Sequence, residues 1–333
     1  MSKAWEAEGH TITVLAGMVH YATGKKSDVY KGKFIIKEKY SKNITVYRCH
    51  VSEAYNINFL GRLWAYFSFV FSSLYAGIFK MNTRHDIILV TSPPLFVAIS
   101  GYLLSVLKNI PFLFEVRDLW PESAIDAGVL TNKYIIKLAY SFEAFIYKKA
   151  IKINVLTPAF KKELENKKGV SSDKILLIPN AADFGLVSKM NKDFDRELFR
   201  KEHGFGNNLV IIYVGAHGIA NGLILLIKTA DLMKNRGVLF VSIGAGMQKE
   251  MLKNEVAKLK LENIKFLDPV SKEEVFKYIL AADIGTSVLI KNDTFKTIYS
   301  NKTFDYMSCK KPVLMAIDGV SRELVEAAEC GKY

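Results

Sequence analysis

Residues 209–222 read Leu-Val-Ile-Ile-Tyr-Val-Gly-Ala-His-Gly-Ile-Ala-Asn-Gly. The unbroken apolar run 209–214 has no alternating polar position, which predicts a strand buried on both faces, as in a parallel sheet. The glycines at 215 and 218 let the backbone turn tightly, and 222–235 then reads as a helix. Strand, glycine loop and helix in this order open a Rossmann-like unit. The loop has two readings. Its amides and the helix N-terminus can receive a phosphate, or its glycines serve only a tight strand-to-helix turn.

The alternation extends in both directions. Downstream, strands are predicted at 238–243, 264–267, 283–288 and 312–316, separated by helices at 248–260, 272–281, 301–309 and 321–328. Upstream, strands at 11–15, 44–48, 86–90, 112–115, 151–156 and 175–178 accompany helices at 95–108, 133–149 and 159–167. The pattern predicts an α/β protein with parallel sheets covered on both faces. Ile178-Pro179-Asn180-Ala181-Ala182-Asp183 interrupts it as Pro-Asn turns do. Two domains follow, 1–184 and 185–333, in keeping with ~150 residues per domain. Gly244-Ala245-Gly246 repeats the glycine loop after the next strand. Open α/β sheets bind ligands at such carboxyl ends of neighbouring strands.

The 333 residues carry 46 Lys and Arg against 33 Asp and Glu, a formal net charge of +13. Such a surface draws phosphates, anionic headgroups or nucleic acid. No nucleic-acid-binding module accompanies the charge, so nucleic acid is not expected as a partner. Half the residues are hydrophobic, which excludes a disordered chain. Cys49, Cys309 and Cys330 form no CxxC pair, and the six histidines show no HxH or HxxxH spacing. Neither a disulfide framework nor a metal site is expected, and a reducing cytoplasm fits. Residues 63–79, LWAYFSFVFSSLYAGIF, carry no charge and are flanked by Arg62, Lys80 and Arg84. They fall short of the ~20 residues of a spanning helix. A buried helix, a helix lying in a membrane interface and a span are the three readings.

Two further stretches concentrate reactive groups. In 300–307, Ser-Asn-Lys-Thr-Phe-Asp-Tyr-Met, Lys302 and Asp305 share a helix face at i, i+3. They form either an ordinary surface pair or a cation for a diphosphate beside a carboxylate for ribose hydroxyls. In 115–123, EVRDLWPES, Glu115, Arg117, Asp118 and Glu122 cluster just past a strand, where loops on a rigid sheet carry function.

Read together and in order, VYKGK (29–33), TSPPLF (91–96), EVRDLWPES (115–123), IPNAAD (178–183), YVGAHGIANG (213–222), FLDPVSKEE (266–274) and SNKTFDYMSCKKPVL (300–314) resemble a family 4 glycosyltransferase. The resemblance runs from about residue 8 to the last residue, with EVRDLWPES its most specific element. The most similar group comprises bacterial O-antigen, capsule and colanic acid transferases, including the N-acetyl-L-fucosamine transferases. It implies the GT-B fold, in which two Rossmann-like domains with parallel sheets face each other across a cleft. It also implies retaining transfer from a nucleotide sugar, UDP-linked, to a polyprenyl-diphosphate-linked saccharide at the inner membrane surface. The enzyme would be cytoplasmic and peripherally membrane-associated, without a metal or other cofactor.

The same resemblance distributes roles. The amides of Gly215, Ala216, His217 and Gly218 would face the diphosphate, with Lys302 as its cation. Asp305 would contact the ribose, and Gly246 and 267–270 would lie beside the base. Asp118, with Arg117 and Glu115, would orient the acceptor or the sugar. Thr297 stands where the family's first motif glutamate is usual, and Ala216 and Asn221 where many relatives carry Arg and Lys. Asp193-Phe194-Asp195 mimics a metal-holding Asp-x-Asp of another transferase fold but reads as a solvated helix start. Residues 2–8 read as a helix leading into the strand 11–15 without a preceding strand and glycine turn. The chain also ends after helix 321–328, where another strand is expected, so it reads as truncated at both ends. A sugar-nucleotide epimerase of the same fold and a non-catalytic binding fragment are the rival readings.

Overall fold

The computed structural model describes residues 1–19, 24–56, 59–81, 83–126, 128, 130–182 and 184–333. They form two units, Met1–Val155 with Leu164–Leu176, and Leu156–Glu163 with Leu177–Tyr333. The expected boundary at 184/185 adjoins Asp183, which lies outside the described residues.

The first unit contains α1 (Ser2–Ala7), β1 (Ile12–Gly17), β2 (Ile35–Lys39), β3 (Ile44–Cys49), α2 (Phe59–Tyr75), β4 (Ile88–Ser92), α3 (Val97–Lys108) and β5 (Phe112–Val116). After these come α4 (Glu122–Asp126), α5 (Lys133–Lys149), β6 (Lys152–Val155), α6 (Pro158–Asn166), whose residues are divided between the two units, and β7 (Ile175–Leu177). β1 and β3 pair in parallel, as do β4, β5 and β6 in turn. Among the described strand pairings the all-parallel expectation fails at β2. β2, absent from the sequence reading, pairs antiparallel with β3 as an edge strand. Its sequence Ile-Ile-Lys-Glu-Lys is too charged to read as a buried strand. Asn132 caps α5 by accepting from the amides of Tyr134 (2.9 Å) and Ile135 (3.2 Å), which satisfies two otherwise unpaired donors.

The segment 63–79 is helical, continuing from α2 into a wider turn at Ala76–Lys80. Ala65, Ser68, Val70, Ser72, Ser73 and Ala76 are buried, whereas Trp64, Phe71 and Phe79 are exposed. Of the three readings the span is excluded, because no described helix is long and apolar enough to cross a membrane. The inner face fits the buried reading, and the outer face is exposed.

The second unit contains α7 (Phe184–Asn191), α8 (Arg196–Glu202), β8 (Leu209–Val214), α9 (Ile224–Leu232), β9 (Val238–Ile243), α10 (Lys249–Lys258) and β10 (Ile264–Leu267). It continues with α11 (Lys272–Ala281), β11 (Ile284–Val288), α12 (Asn301–Ser308), β12 (Val313–Ala316), α13 (Val320–Ala327) and β13 (Gly331–Lys332). All pairings of the six-stranded sheet, order β10-β9-β8-β11-β12-β13, are parallel. β13 corrects the expectation that no strand follows α13. Successive side chains of a strand face opposite sides. Val210, Ile212, Leu239 and Val241 therefore enter one core, and Ile211, Tyr213, Val238 and Phe240 the other. This double burial is why β8 and β9 read as continuous apolar runs.

The strand order reverses between β8 and β11, which makes their carboxyl ends the switch point where doubly wound sheets bind ligands. Only Ile284 and Gly285 of β11 are in register with β8. Beyond them the Tyr306 hydroxyl stands between the strands. It accepts from the Val214 amide (3.0 Å) and donates to the Thr286 carbonyl (3.1 Å). The ring can lie there because residue 285 is glycine; a β-carbon at that position would overlap it. Tyr306 thereby draws α12, and with it Lys302, onto the switch point.

Candidate functional site

Lys302 lies one turn before Tyr306 on α12. Its Nζ is 4.9 Å from the centre of the Tyr213 ring and donates one long hydrogen bond, 3.4 Å, to Ser300 Oγ. Its aliphatic stem packs on the first glycine loop, where a β-carbon at Gly215 would sit 3.1 Å from Lys302 Cε. Among the described residues Lys302 makes no ion pair. Burial pushes its pKa down to about 8, partly offset by the charge of Asp305. A partly desolvated ammonium with a ring and a weak hydroxyl for company has an unfilled need for an anion.

The two glycine loops interlock by backbone. The Gly215 amide donates to the Ile243 carbonyl (3.0 Å), the His217 amide to the Ala245 carbonyl (2.9 Å), and the Gln248 amide to the His217 carbonyl (3.0 Å). This narrows the expected cradle. Of the four amides Gly215–Gly218, those of Gly215 and His217 are spent inside the fold. Those of Ala216 and Gly218 have no partner among the described residues. Gly246 presses against the His217 backbone, which a β-carbon would overlap. It serves the interlock, so its expected place beside a base is not needed to explain it.

The His217 side chain is turned into the fold. Its ring is fully buried, with Nε2 3.0 Å from Ser242 Oγ and its plane edge-on to Phe266. It packs inside the sheet instead of facing the loop mouth. Burial, and then the charge of Lys249, lower its pKa to about 4. The folded chain therefore refuses a proton that the unfolded chain accepts at about 6.5. This contribution to stability is present above about pH 6.5 and is lost as the pH falls toward 4. Urea midpoints measured between pH 7 and 4.5 should drop more steeply for the wild type than for His217→Gln. Equal slopes would contradict this role.

Lys249 was not apparent in the sequence. It is buried, and its Nζ donates to the carbonyls of Gly244 (2.8 Å) and Leu267 (2.7 Å) and to Asp268 Oδ1 (2.7 Å). It fixes the second glycine loop to the end of β10, and the pairing lowers the Asp268 pKa. Only its position in the first turn after a glycine loop could have signalled it. Asp305 is half-buried on α12, one turn after Lys302. Thr297 is engaged by the fold, its hydroxyl donating to Thr294 O and its carbonyl accepting from Thr157 Oγ1.

In the first unit the acidic loop divides. Glu115 is buried within the sheet, accepting from Thr91 Oγ1 (3.0 Å) on β4 and Asn154 Nδ2 (3.4 Å) on β6. It ties strands together and is not turned toward the loop, against expectation. Arg117 is exposed, with its amide bonded to the Ser92 carbonyl. Asp118 is half-buried and accepts from Ser123 and the Leu119 amide; burial nevertheless raises its pKa. Glu122 pairs with Lys168 (2.8 Å), which also holds the buried Glu143 (2.6 Å), anchoring the far end of the loop. Among the described residues no group of three or more His, Cys, Asp or Glu is placed to hold a metal ion.

Comparison with known proteins gives this geometry a context. The model of the glycosyl transferase 4-like domain matches residues 1–181, and that of glycosyl transferases group 1 matches residues 208–332. WcaI of Escherichia coli K12, named for glycosyl transfer in colanic acid biosynthesis, is 23% identical over 265 residues, 78% of this chain and 64% of WcaI. TuaH of Bacillus subtilis 168, named for teichuronic acid biosynthesis, is 23% identical over 203 residues, 61% of this chain and 49% of TuaH. The aligned stretches thus span less than two thirds of either relative. HepE of Anabaena, solved in complex with UDP, superposes with a TM-score of 0.64 at 16% identity, over 96% of this chain and 85% of HepE. The fold is that of the GT-B proteins.

Proposed function

This chain belongs to the glycosyl transferase 4-like family, and from that premise we propose that it transfers a sugar from a nucleotide-sugar donor during surface polysaccharide assembly. The observation that carries the reading is Lys302, a partly desolvated cation at the switch point of the second unit that makes no ion pair among the described residues. A diphosphate supplies the missing anion. UDP is the proposed nucleotide, in keeping with the UDP complex of HepE. The acceptor is a saccharide carried on a polyprenyl diphosphate at the inner face of a membrane. Transfer proceeds with retention and without a metal ion.

In this mechanism the bond from the anomeric carbon to the diphosphate oxygen breaks as the acceptor hydroxyl forms its bond to the same carbon, on the same face. The hydroxyl proton passes to the departing diphosphate. Positive charge on the sugar and negative charge on the leaving group develop together, so preorganised charge at the diphosphate lowers the barrier. Lys302 and the amides of Ala216 and Gly218 supply it. Asp305 is assigned to the ribose hydroxyls, and Asp118 with Arg117 to orienting the acceptor.

The reading is tested by incubating the protein with a panel of UDP-sugars and membrane lipid extracts, following lipid-linked product by mass. A donor-dependent mass increment equal to one sugar is expected. Free altered sugar released without any acceptor would instead point to an epimerase. Because Lys302 has a pKa of about 8 in the free protein, the ammonium is lost above that pH. The donor KM should therefore rise about tenfold between pH 7 and 9. A flat profile would remove Lys302 from the donor site.

A further inference from the structure

Within the first unit, α3 lies between α2 and α5. On one flank Ser73 Oγ and Ser100 Oγ are 2.8 Å apart. On the other, the rings of Tyr102 and Phe145 meet edge-on at 4.9 Å. Beneath, Gly101 lies against Val90 of β4. With these directions occupied, Leu103, Val106 and Leu107 turn outward, Leu107 with 65% of its surface exposed. The neighbouring helix α5 adds Tyr134 (86%) and Leu138 (69%), one turn apart on its own outward face. Trp64 and Phe71 of α2 are exposed as well. Scattered apolar residues are normal on a surface, but concentrated ones mark a contact.

The exposed charges in the same helices are of one sign. The sequence holds no acid between Glu53 and Asp86 or between Asp86 and Glu115. The sole acid of α5, Glu143, is buried and held by Lys168 Nζ at 2.6 and 2.7 Å. In contrast, Lys133, Lys137, Lys148 and Lys149 all occupy exposed positions of α5. Apolar side chains among lysines, without an exposed carboxylate, match the layering of an anionic bilayer: acyl boundary inside, phosphates outside. A second copy of the chain fits poorly, because pairing through this face would set four lysines against four.

We infer that the outward face of α3 and α5, extended by the exposed aromatics of α2, docks on an anionic lipid bilayer. The inference rests on the reading of the chain as a transferase with a membrane-anchored acceptor for its purpose, but not for its test. Vesicles of phosphatidylcholine with about one third phosphatidylglycerol, free of saccharide lipids, are sedimented with the full chain, and UDP binding is measured separately. Binding is expected to be at least about tenfold weaker to phosphatidylcholine alone. The charge-reversing pair Lys137→Glu with Lys148→Glu, and the pair Leu107→Asp with Leu138→Asp, should each weaken binding by a similar factor. Both pairs are exposed and should leave thermal unfolding and UDP binding unchanged. Absence of binding to the anionic vesicles, or equal binding by the variants, would overturn the inference. So would a dimer in light scattering that Leu107→Asp disperses. Vesicle binding without UDP binding would defeat the transferase reading alone; UDP binding without vesicle binding would defeat the docking alone.

Discussion

Lys302→Ala is expected to lower kcat/KM for the nucleotide-sugar donor by about a hundredfold while the protein remains folded. Hydrogen bonds from a charged group contribute about 1.5–3 kcal/mol each, and a leaving diphosphate gains more charge in the transition state than it has when bound. The loss should therefore appear in kcat as well as in KM. Stability should not suffer. The ammonium has no ion pair among the described residues, and its pKa is already lowered to about 8 by burial. Removing it relieves a desolvated charge at the expense of some stem packing against Gly215. Thermal unfolding and transfer kinetics measured on the same preparation separate the two effects. Unchanged kinetics, or a loss that tracks unfolding, would contradict the assignment.

The second large effect is expected from Gly246→Ala. The added methyl group meets the backbone of His217, which cannot swing away as a flexible side chain would. The loops must separate, breaking the hydrogen bonds from His217 N to Ala245 O and from Gln248 N to His217 O. Overpacking of this kind costs about 1–3 kcal/mol, and donor binding should fall with it, because the same displacement carries the Ala216 and Gly218 amides out of place. Gly218→Ala is the control. Its β-carbon would meet only Asn221 Oδ1, at an ordinary 3.5 Å, so stability should change by less than about 0.5 kcal/mol. Urea unfolding and calorimetric UDP binding read both variants. Equal stability of the two would show that the interlock does not matter.

The contrast between these two glycines shows what the sequence reveals and what it hides. β8 and β9 are buried on both faces and almost wholly apolar, so they were legible, and β10, β11 and β12 followed from the regular alternation with helices, with boundaries close to those observed. β2 was missed because an edge strand tolerates charge on its solvent side, and β13 because two residues carry no period. In the site, Lys302 was legible because a cation in the first turn of a helix after a strand has a chemical meaning by itself. The orientation of His217 was not. The same Gly-Ala-His-Gly loop serves a ring turned outward to a ligand or inward to Ser242, and only the packing of Phe266 and the neighbouring strands decides. Glu115 misled for the same reason. Its partners Thr91 and Asn154 come from neighbouring strands whose register with β5 cannot be read locally. Lys249 escaped because its three acceptors, two of them carbonyls, converge only once β9 and β10 are side by side.

The central claim is that Lys302 and the interlocked glycine loops form a site for the diphosphate of a nucleotide. Calorimetric titration with UDP and with uridine at pH 7, on the wild type and on Lys302→Ala, tests it most directly. UDP should bind the wild type with one site and at least about a hundredfold more tightly than uridine, since the nucleoside lacks the group that the charged site recognises. In Lys302→Ala most of that preference should disappear. Equal affinity for UDP and uridine in the wild type, or an undiminished preference in Lys302→Ala, would contradict the account.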